Sequence, residues 1–500
     1  MAPSAVKRLR NQVGWTGAPW SWRSVPLTRD TAPQWIAVGA AGVAVGLFTA
    51  QIATSQSRGG SLLLLAALAP FVLMMARNVR RLLLAIVVFD IPFQWDKNFH
   101  YDAAAANLGA LGGLNISVTT IALAGLYGMW GAELLARRAE VVKGTMRAAL
   151  PLIVYLGFTA ASAFVAGNKE LSLFEVAMLV QSLLVFIYVA GTVRTRDDVQ
   201  FVVVALVGSL LFEGLVTLAI GVTGAIHLVG IHTYSDPGIS SASESGYRFG
   251  GTIGSPNTAA SYFSLLVAPC IALATTPVSR RLRRFAIAAA GLGAISLVLT
   301  YSRGGWIALF VSCVFLMTMG LRRGWISPRI PVAAAIGLTV LILPFSGQIA
   351  TRIGGSDQGS AASRIPLIRL ASNVIEDHPV LGVGANNLGL VIPTYAGPEY
   401  DGYWIYTVHN KYLLVWAEAG IGALAAFLWF LLSTLRTGWR VWRDADPFLG
   451  PIALGLTAGV IGQMVHMGVD IFQSRPQVQL LWLVAGLLVA MRGVAGEAAA

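Results

Sequence analysis

Apolar windows of roughly 16 to 25 residues recur along the chain, each long enough to cross a hydrocarbon layer of about 30 Å as a helix. In lipid, every backbone N–H and C=O must find its partner inside the protein, so spans of this length fold as helices. Composition agrees: 56% of residues are hydrophobic and 12% charged, where soluble domains carry about 25% charged residues. The expected fold class is all-α, a polytopic transmembrane helical bundle of about 12–14 spans.

Window hydropathy starts spans near residues 36, 61, 81, 114, 149, 173, 199, 258, 285, 304, 330, 412, 449 and 477. The window near 81 is short and contains Asp90 and Pro92. With the N-terminus in the cytoplasm, 25 of the 35 Lys and Arg residues fall on the cytoplasmic side, in runs such as RNVRR, RRLRR and RTGWRVWR. This positive-inside bias sets the topology, with both termini cytoplasmic. The net charge of +12 is therefore topological, and no nucleic-acid partner is expected. The first apolar run begins near Trp35, after a basic polar stretch and without a small-residue cleavage site, so it reads as a retained helix. Cys270 and Cys313 fall inside spans and imply no disulfide framework. The resulting organisation is a cytoplasmic segment (1–35), membrane helices (36–222), a loop facing the periplasm or cell exterior (223–257), membrane helices (258–345), a large loop on that same side (346–411) and C-terminal membrane helices (412–493).

Loops longer than about 12–15 residues are usually functional, and the long ones here all lie on the side poor in positive charge. In the largest, SRIPLIRLASNVIEDHPVLGVGANNLG sets Ile365, Ile368, Ala371, Val374 and Ile375 on one face of an amphipathic helix that lies on the membrane surface. Asp377, His378 and Pro379 end it, because proline disfavours helix at the preceding residue. Arg364 and Arg369 belong to this helix, and arginine's planar fork of donors suits phosphate. Arg248 precedes a Gly-rich turn and Asn257, near the start of a helix. Arg303 stands in a tight break between two spans, where snorkelling to lipid headgroups is the bland reading. Gly304 and Gly305 beside it allow close approach of a ligand, and a helix starting there favours an anion.

His409, Asn410 and Lys411 stand at the mouth of an apolar helix, as interface anchors or as reacting groups. His466 and Asp470, spaced four apart, form either an acid–base pair or a structural contact between helices. Glu175, Glu213 and Glu418 lie within spans, Glu418 two turns below His409. Asp96, Asp102, Glu399 and Asp401 show no ligand spacing, and no metal or other cofactor is expected. The DAD run at 444–446 faces the cytoplasm, and His100, His227, His232 and His378 read as plain loop histidines.

Taken in order, RFGGTIGSPNTAA, TYSRGGWIA, SRIPLIRLASNVIEDHPVLGVGANNLG and HNKYLLVWAEAGIGA resemble the O-antigen ligase and O-antigen polymerase superfamily, clearly over residues 200 to 435. The resemblance implies a bacterial inner-membrane enzyme, its site facing the periplasm. It would move a glycan from undecaprenyl pyrophosphate to an acceptor sugar. Arg303 and Arg364 resemble the family's pyrophosphate-binding arginines, and His409 its essential histidine. Where that family commonly has an aromatic residue four positions after the loop arginine, this chain has Ile368.

The chemistry is self-consistent. A polyprenyl pyrophosphate is already a leaving group; arginines neutralise the charge growing on it, and a histidine takes the hydroxyl proton during an inverting, metal-independent displacement. The site expected is His409 as catalytic base, Arg303, Arg364, Arg248 and Arg369 on the pyrophosphate, and Asn257, Asn410, Lys411, Glu418, His466 and Asp470 in support. The partners expected are the lipid-linked glycan donor, a glycan or lipid A-core acceptor, membrane lipids and other polysaccharide-assembly proteins. The long outer loop leans toward a polymerase, with ligation onto lipid A core as the alternative. A lipid-linked glycan flippase is the alternative of another class; it would carry charges along an interior path with repeat symmetry.

Overall fold

The computed structural model describes residues 78–136, 143–223, 248–343, 364–400, 406–443 and 446–499, with short strand pieces between 227 and 236 and a few positions between 346 and 350. The spans expected near 36 and 61, the segment 1–35, and Asp401 lie outside the described residues. The chain divides into two units, residues 1–82 and 83–500; apart from residues 78–82, all that follows lies in the second.

Among the described residues, ten helices are long and apolar enough to cross a membrane. In chain order the described helices are α1 (Val79–Phe93), α2 (Ala103–Asn107), α3 (Val118–Leu135), α4 (Lys143–Ser162), α5 (Lys169–Thr192), α6 (Arg196–Thr223), α7 (Pro256–Thr275), α8 (Arg280–Leu299), α9 (Arg303–Arg322), α10 (Arg329–Ile342), α11 (Arg364–Asp377), α12 (Leu388–Tyr395), α13 (Lys411–Arg443), α14 (Leu449–His466) and α15 (Arg475–Ala499). The protein is thus an all-α, multi-pass membrane bundle. Two windows expected to span form shorter helices: α1 has 15 residues and α10 has 14. At about 1.5 Å per residue each falls well short of the hydrocarbon thickness.

Local sequence explains where the helices start. Ser117 and Thr120 form a capping box at α3; Asn168 caps α5; Ser255 caps α7, with Pro256 in the first turn; Ser279 caps α8. Apolar side chains surround several spans entirely, so position in the bundle follows from packing. α14 is 83% buried and packs on α7, α9 and α13, whereas α3 and α9 are 28% buried. Polar side chains inside the bundle pair with one another, as burial requires. Gln463 of α14 donates to the Ser261 carbonyl of α7 at 2.7 Å, and its own side-chain oxygen accepts from the Ser261 hydroxyl at 2.6 Å.

One end of the bundle carries the loop structure. A hairpin of β1 (Asp96–Phe99) and β2 (Leu114–Ser117) follows α1. It is tied to α15 by Arg475, buried between Asp90 at 2.9 Å and Asp96 at 3.2 Å. The amphipathic helix α11 forms as expected, but its buried face is Leu367, Leu370, Ala371, Val374 and Ile375. Ile365 and Ile368, expected on that face, are exposed. The helix carries two apolar stripes, and the one containing Leu367 and Leu370 packs toward α12 and α13.

The segment after α11 is locked into α13. Gly420 adopts φ 82°, ψ 177° and breaks the helix. The carbonyls of Ala417 and Glu418, freed from the helical ladder, accept the N–H groups of Val383 and Gly384, each at 2.9 Å. A Cβ at Gly420 would lie 1.8 Å from the Val380 carbonyl oxygen, so only glycine fits there. Beyond this joint, Asn386 and Asn387 insert their side chains among Leu111, Asn168, Leu171 and Ser172. The loop is therefore fixed at both the α13 and α5 surfaces.

Candidate active site

His409 sits just before α13, in a stretch that Thr407 anchors by donating its N–H to the Leu108 carbonyl at 3.2 Å. The Tyr406 ring lies against the imidazole with centroids 5.7 Å apart. Burial lowers the His409 pKa from its ordinary value, and the positive charge of Arg364 lowers it further. Asp470 and a backbone hydrogen bond with Thr407 oppose that shift. The net direction keeps the imidazole neutral at neutral pH, the form able to accept a proton. Burial and the carboxylate of Asp470 together raise the Tyr406 hydroxyl above its usual range.

Arg364 is the first residue of α11, and its charge reaches both His409 and His466. His466 ends α14, buried, and its Nδ1 has no hydrogen-bond partner among the described residues. Asp470 does not share that helix, as its spacing from His466 had suggested. The helix stops at His466, and Asp470 lies in the following turn, accepting from the Gln477 amide at 2.6 Å and the Phe472 N–H at 3.2 Å. Its carboxylate nevertheless faces His466, His409 and Tyr406.

The other wall is the start of α9. Arg303 is its first residue, and Ser302 occupies the N-cap without making a side-chain cap. The N–H groups of that first turn thus lack the usual side-chain acceptor. Gly304 touches His466: a Cβ there would stand 2.9 Å from the imidazole Cδ2 and 3.2 Å from Nε2. Arg248 reaches the same corner. Its Nε donates to the Thr300 carbonyl at 3.0 Å, and a terminal nitrogen donates to the Asn257 side chain at 2.8 Å. The turn after Arg248 rests on Glu213 of α6, which accepts from the Thr252 N–H at 2.7 Å.

The structure thus gathers Arg364, His409, His466, Asp470 and Tyr406 against the Arg303–Gly304 turn, with Arg248 and Asn257 beside it. The remaining candidates are found elsewhere. Arg369 is exposed on a different face of α11 from Arg364. Asn410 caps α13, accepting from the Tyr412 and Leu413 N–H groups at 3.0 and 3.2 Å. Lys411 turns inward, 4% exposed, with its Nζ 4.0 Å from Glu175 and its charge also facing Glu418. Glu418 accepts the Leu388 N–H at 3.1 Å and so caps α12. Of the acids weighed for a metal, Asp96 is paired with Arg475 and Asp102 caps α2.

Tyr406 was absent from the candidates read in the sequence. Its signal was there, three residues before His409 in YTVHNK, but only the fold turns it toward Asp470. This pocket of basic, acidic and imidazole groups can hold an anion at the α9 start and move a proton at a histidine.

The chain as a whole matches no curated protein. Residues 288–428 match the family model described as O-antigen ligase, a stretch running from within α8 into α13 that includes Arg303, Arg364 and His409. The match supports glycan transfer of the O-antigen ligase or polymerase type, which implies a lipid-linked glycan donor and an acceptor. Across that stretch, this multi-pass membrane protein is similar to the O-antigen ligase family.

Proposed function

We propose that the protein transfers a glycan from undecaprenyl pyrophosphate to an acceptor sugar hydroxyl, with the site facing the periplasm of the inner membrane. The observation that carries this reading is the meeting of Arg364, His409, His466 and Asp470 at the Arg303–Gly304 turn. Arg303, Arg364 and the first turn of α9 stabilise the pyrophosphate as it departs. His409 takes the acceptor hydroxyl proton as the oxygen attacks the anomeric carbon, inverting it. The C–O bond to the pyrophosphate breaks, and its electron pair leaves with the phosphate oxygen. Arg248 supports the corner from the Thr300 carbonyl. Arg369, on the exposed face of α11, is free to touch the carrier or the glycan rather than the reacting phosphate.

The test is release of undecaprenyl pyrophosphate from a lipid-linked glycan by purified protein. His409→Gln should bind donor but lose turnover about 10²- to 10⁴-fold. Good turnover by that variant ends the role of His409 as base, and failure of the wild type to cleave the donor favours a flippase. The acceptor is a second carrier-linked glycan for a polymerase and a lipid A core for a ligase. The long outer loop leans toward the former, and the family's description toward the latter. Cells lacking the protein decide: single-unit glycan on its final anchor marks a polymerase, and full chains trapped on the carrier mark a ligase.

A further inference from the structure

At the bundle end opposite the candidate site, a cavity of about 590 Å³ opens between α4, α5, α13 and α15. Five arginines line it: Arg147 of α4, Arg194 just beyond α5, Arg436 and Arg440 of α13, and Arg492 of α15. No acidic residue lines it among the described residues. Among the described residues, Arg196 and Asp446 form an ion pair at this end, and neither lines the cavity. Four of the lining arginines, Arg147, Arg436, Arg440 and Arg492, bring like charges together around one cavity, which an anion sitting among them offsets. Toward the membrane interior the lining changes to the Ser433 hydroxyl and then to apolar surface, with Trp429, Pro151, Ala190 and Val489. Along α13, Trp429 lies two turns, roughly 10 Å, before Arg436 on the way into the membrane. It remains 45% exposed.

We propose that this cavity binds the phosphate headgroup of an anionic phospholipid, with an acyl chain running down past Trp429. Three features fit a lipid better than a soluble anion. The arginines form a rim while the floor is apolar; Trp at this depth is an interfacial anchor; and basic pockets between membrane helices at the arginine-rich face match acidic lipid headgroups. The site is independent of the proposed glycan transfer. Lys411 and Arg436 are 25 residues apart on α13, on either side of the break at Gly420, and the 16 residues from Gly420 to Arg436 alone rise roughly 24 Å.

The experiment uses full-length protein, delipidated in detergent and titrated with dioleoyl phosphatidylglycerol, dioleoyl phosphatidylcholine or inorganic phosphate. Thermal stabilisation and retained lipid in native mass spectrometry are the readouts. Phosphatidylglycerol should bind about tenfold or more tightly than phosphatidylcholine. The triple variant Arg436→Gln, Arg440→Gln, Arg492→Gln should lose that preference. Removing equal charge at the same end but away from the cavity, with Arg280→Gln, Arg281→Gln, Arg284→Gln, should preserve it. Trp429→Ala should weaken phosphatidylglycerol without restoring phosphatidylcholine. Equal binding of the two lipids by wild type overturns the proposal, whether or not the variants fold. So does equal loss in the two triple variants, which would mean unspecific attraction. Stabilisation by inorganic phosphate as strong as by phosphatidylglycerol would also overturn it, leaving a site for a soluble anion.

Discussion

Gly304→Ala perturbs the candidate site by a single methyl group. The new Cβ would lie 2.8 Å from Val469 Cγ2, 2.9 Å from His466 Cδ2 and 3.2 Å from His466 Nε2. Carbon contacts settle at about 3.5–4.0 Å, so the imidazole and the α9 start must separate by roughly 0.6 to 1 Å. His466 is 1% exposed and packed on the bundle, leaving little room for the ring to retreat. The helix start, which carries Arg303, therefore absorbs much of the movement. Overpacking of this kind costs about 1–3 kcal/mol, and replacing a helical glycine by alanine returns up to about 1 kcal/mol. The net destabilisation expected is small, on the order of 0–2 kcal/mol. Catalysis is more sensitive, because a shift of about 1 Å can cost about 10²-fold in rate. Purified Gly304→Ala should melt within a few degrees of wild type in detergent, yet release undecaprenyl pyrophosphate about 10- to 100-fold more slowly. Unchanged turnover with an unchanged melt would refute the idea that the α9 start and His466 share one catalytic pocket.

Activity should fall on an acid limb as His409 protonates, and that limb should lie below the usual imidazole range because burial and Arg364 both lower its pKa. Removing Arg364 as Arg364→Gln raises the pKa and moves the limb to higher pH, while Asp470→Asn removes the opposing carboxylate and moves it lower; pH–rate profiles showing like-signed shifts would break the assignment. Arg303→Ala should slow donor cleavage at least tenfold, the loss of about 1.5–3 kcal/mol of charge-assisted contact, with Arg303→Lys recovering only part of it. Gly420→Ala puts a side chain at φ 82° against the Val380 backbone, so the joint between the outer loop and α13 should open, seen as new protease cleavage near 379–388 or loss of folded protein. Lys411→Met leaves Glu175 and Glu418 without their buried cation and should destabilise by about 3–5 kcal/mol; adding Glu175→Gln and Glu418→Gln should restore the melting temperature.

The sequence alone determined the solvent and the class of fold, because a run of apolar residues about 20 long has few stable alternatives to a membrane helix. It also marked Arg303, Arg364 and His409, since cations beside glycine or at helix mouths stand out in an apolar chain. What it could not supply was direction. Arg364 and Arg369 are equivalent as letters, and only the packing of Leu367 and Leu370 turns one toward His409 and leaves the other exposed. His409, Asn410 and Lys411 are consecutive, yet one faces the pocket, one caps α13 and one pairs with a buried glutamate. His466 and Asp470 looked like a helical pair, but the helix ends between them. The reach of the Arg364 charge to the histidines and the contacts of Gly304 with His466 and of Gly420 with Val380 join residues far apart in the chain. Such long-range packing is set by complementary shape and buried polar pairing among many side chains at once, and neither periodicity nor spacing encodes it.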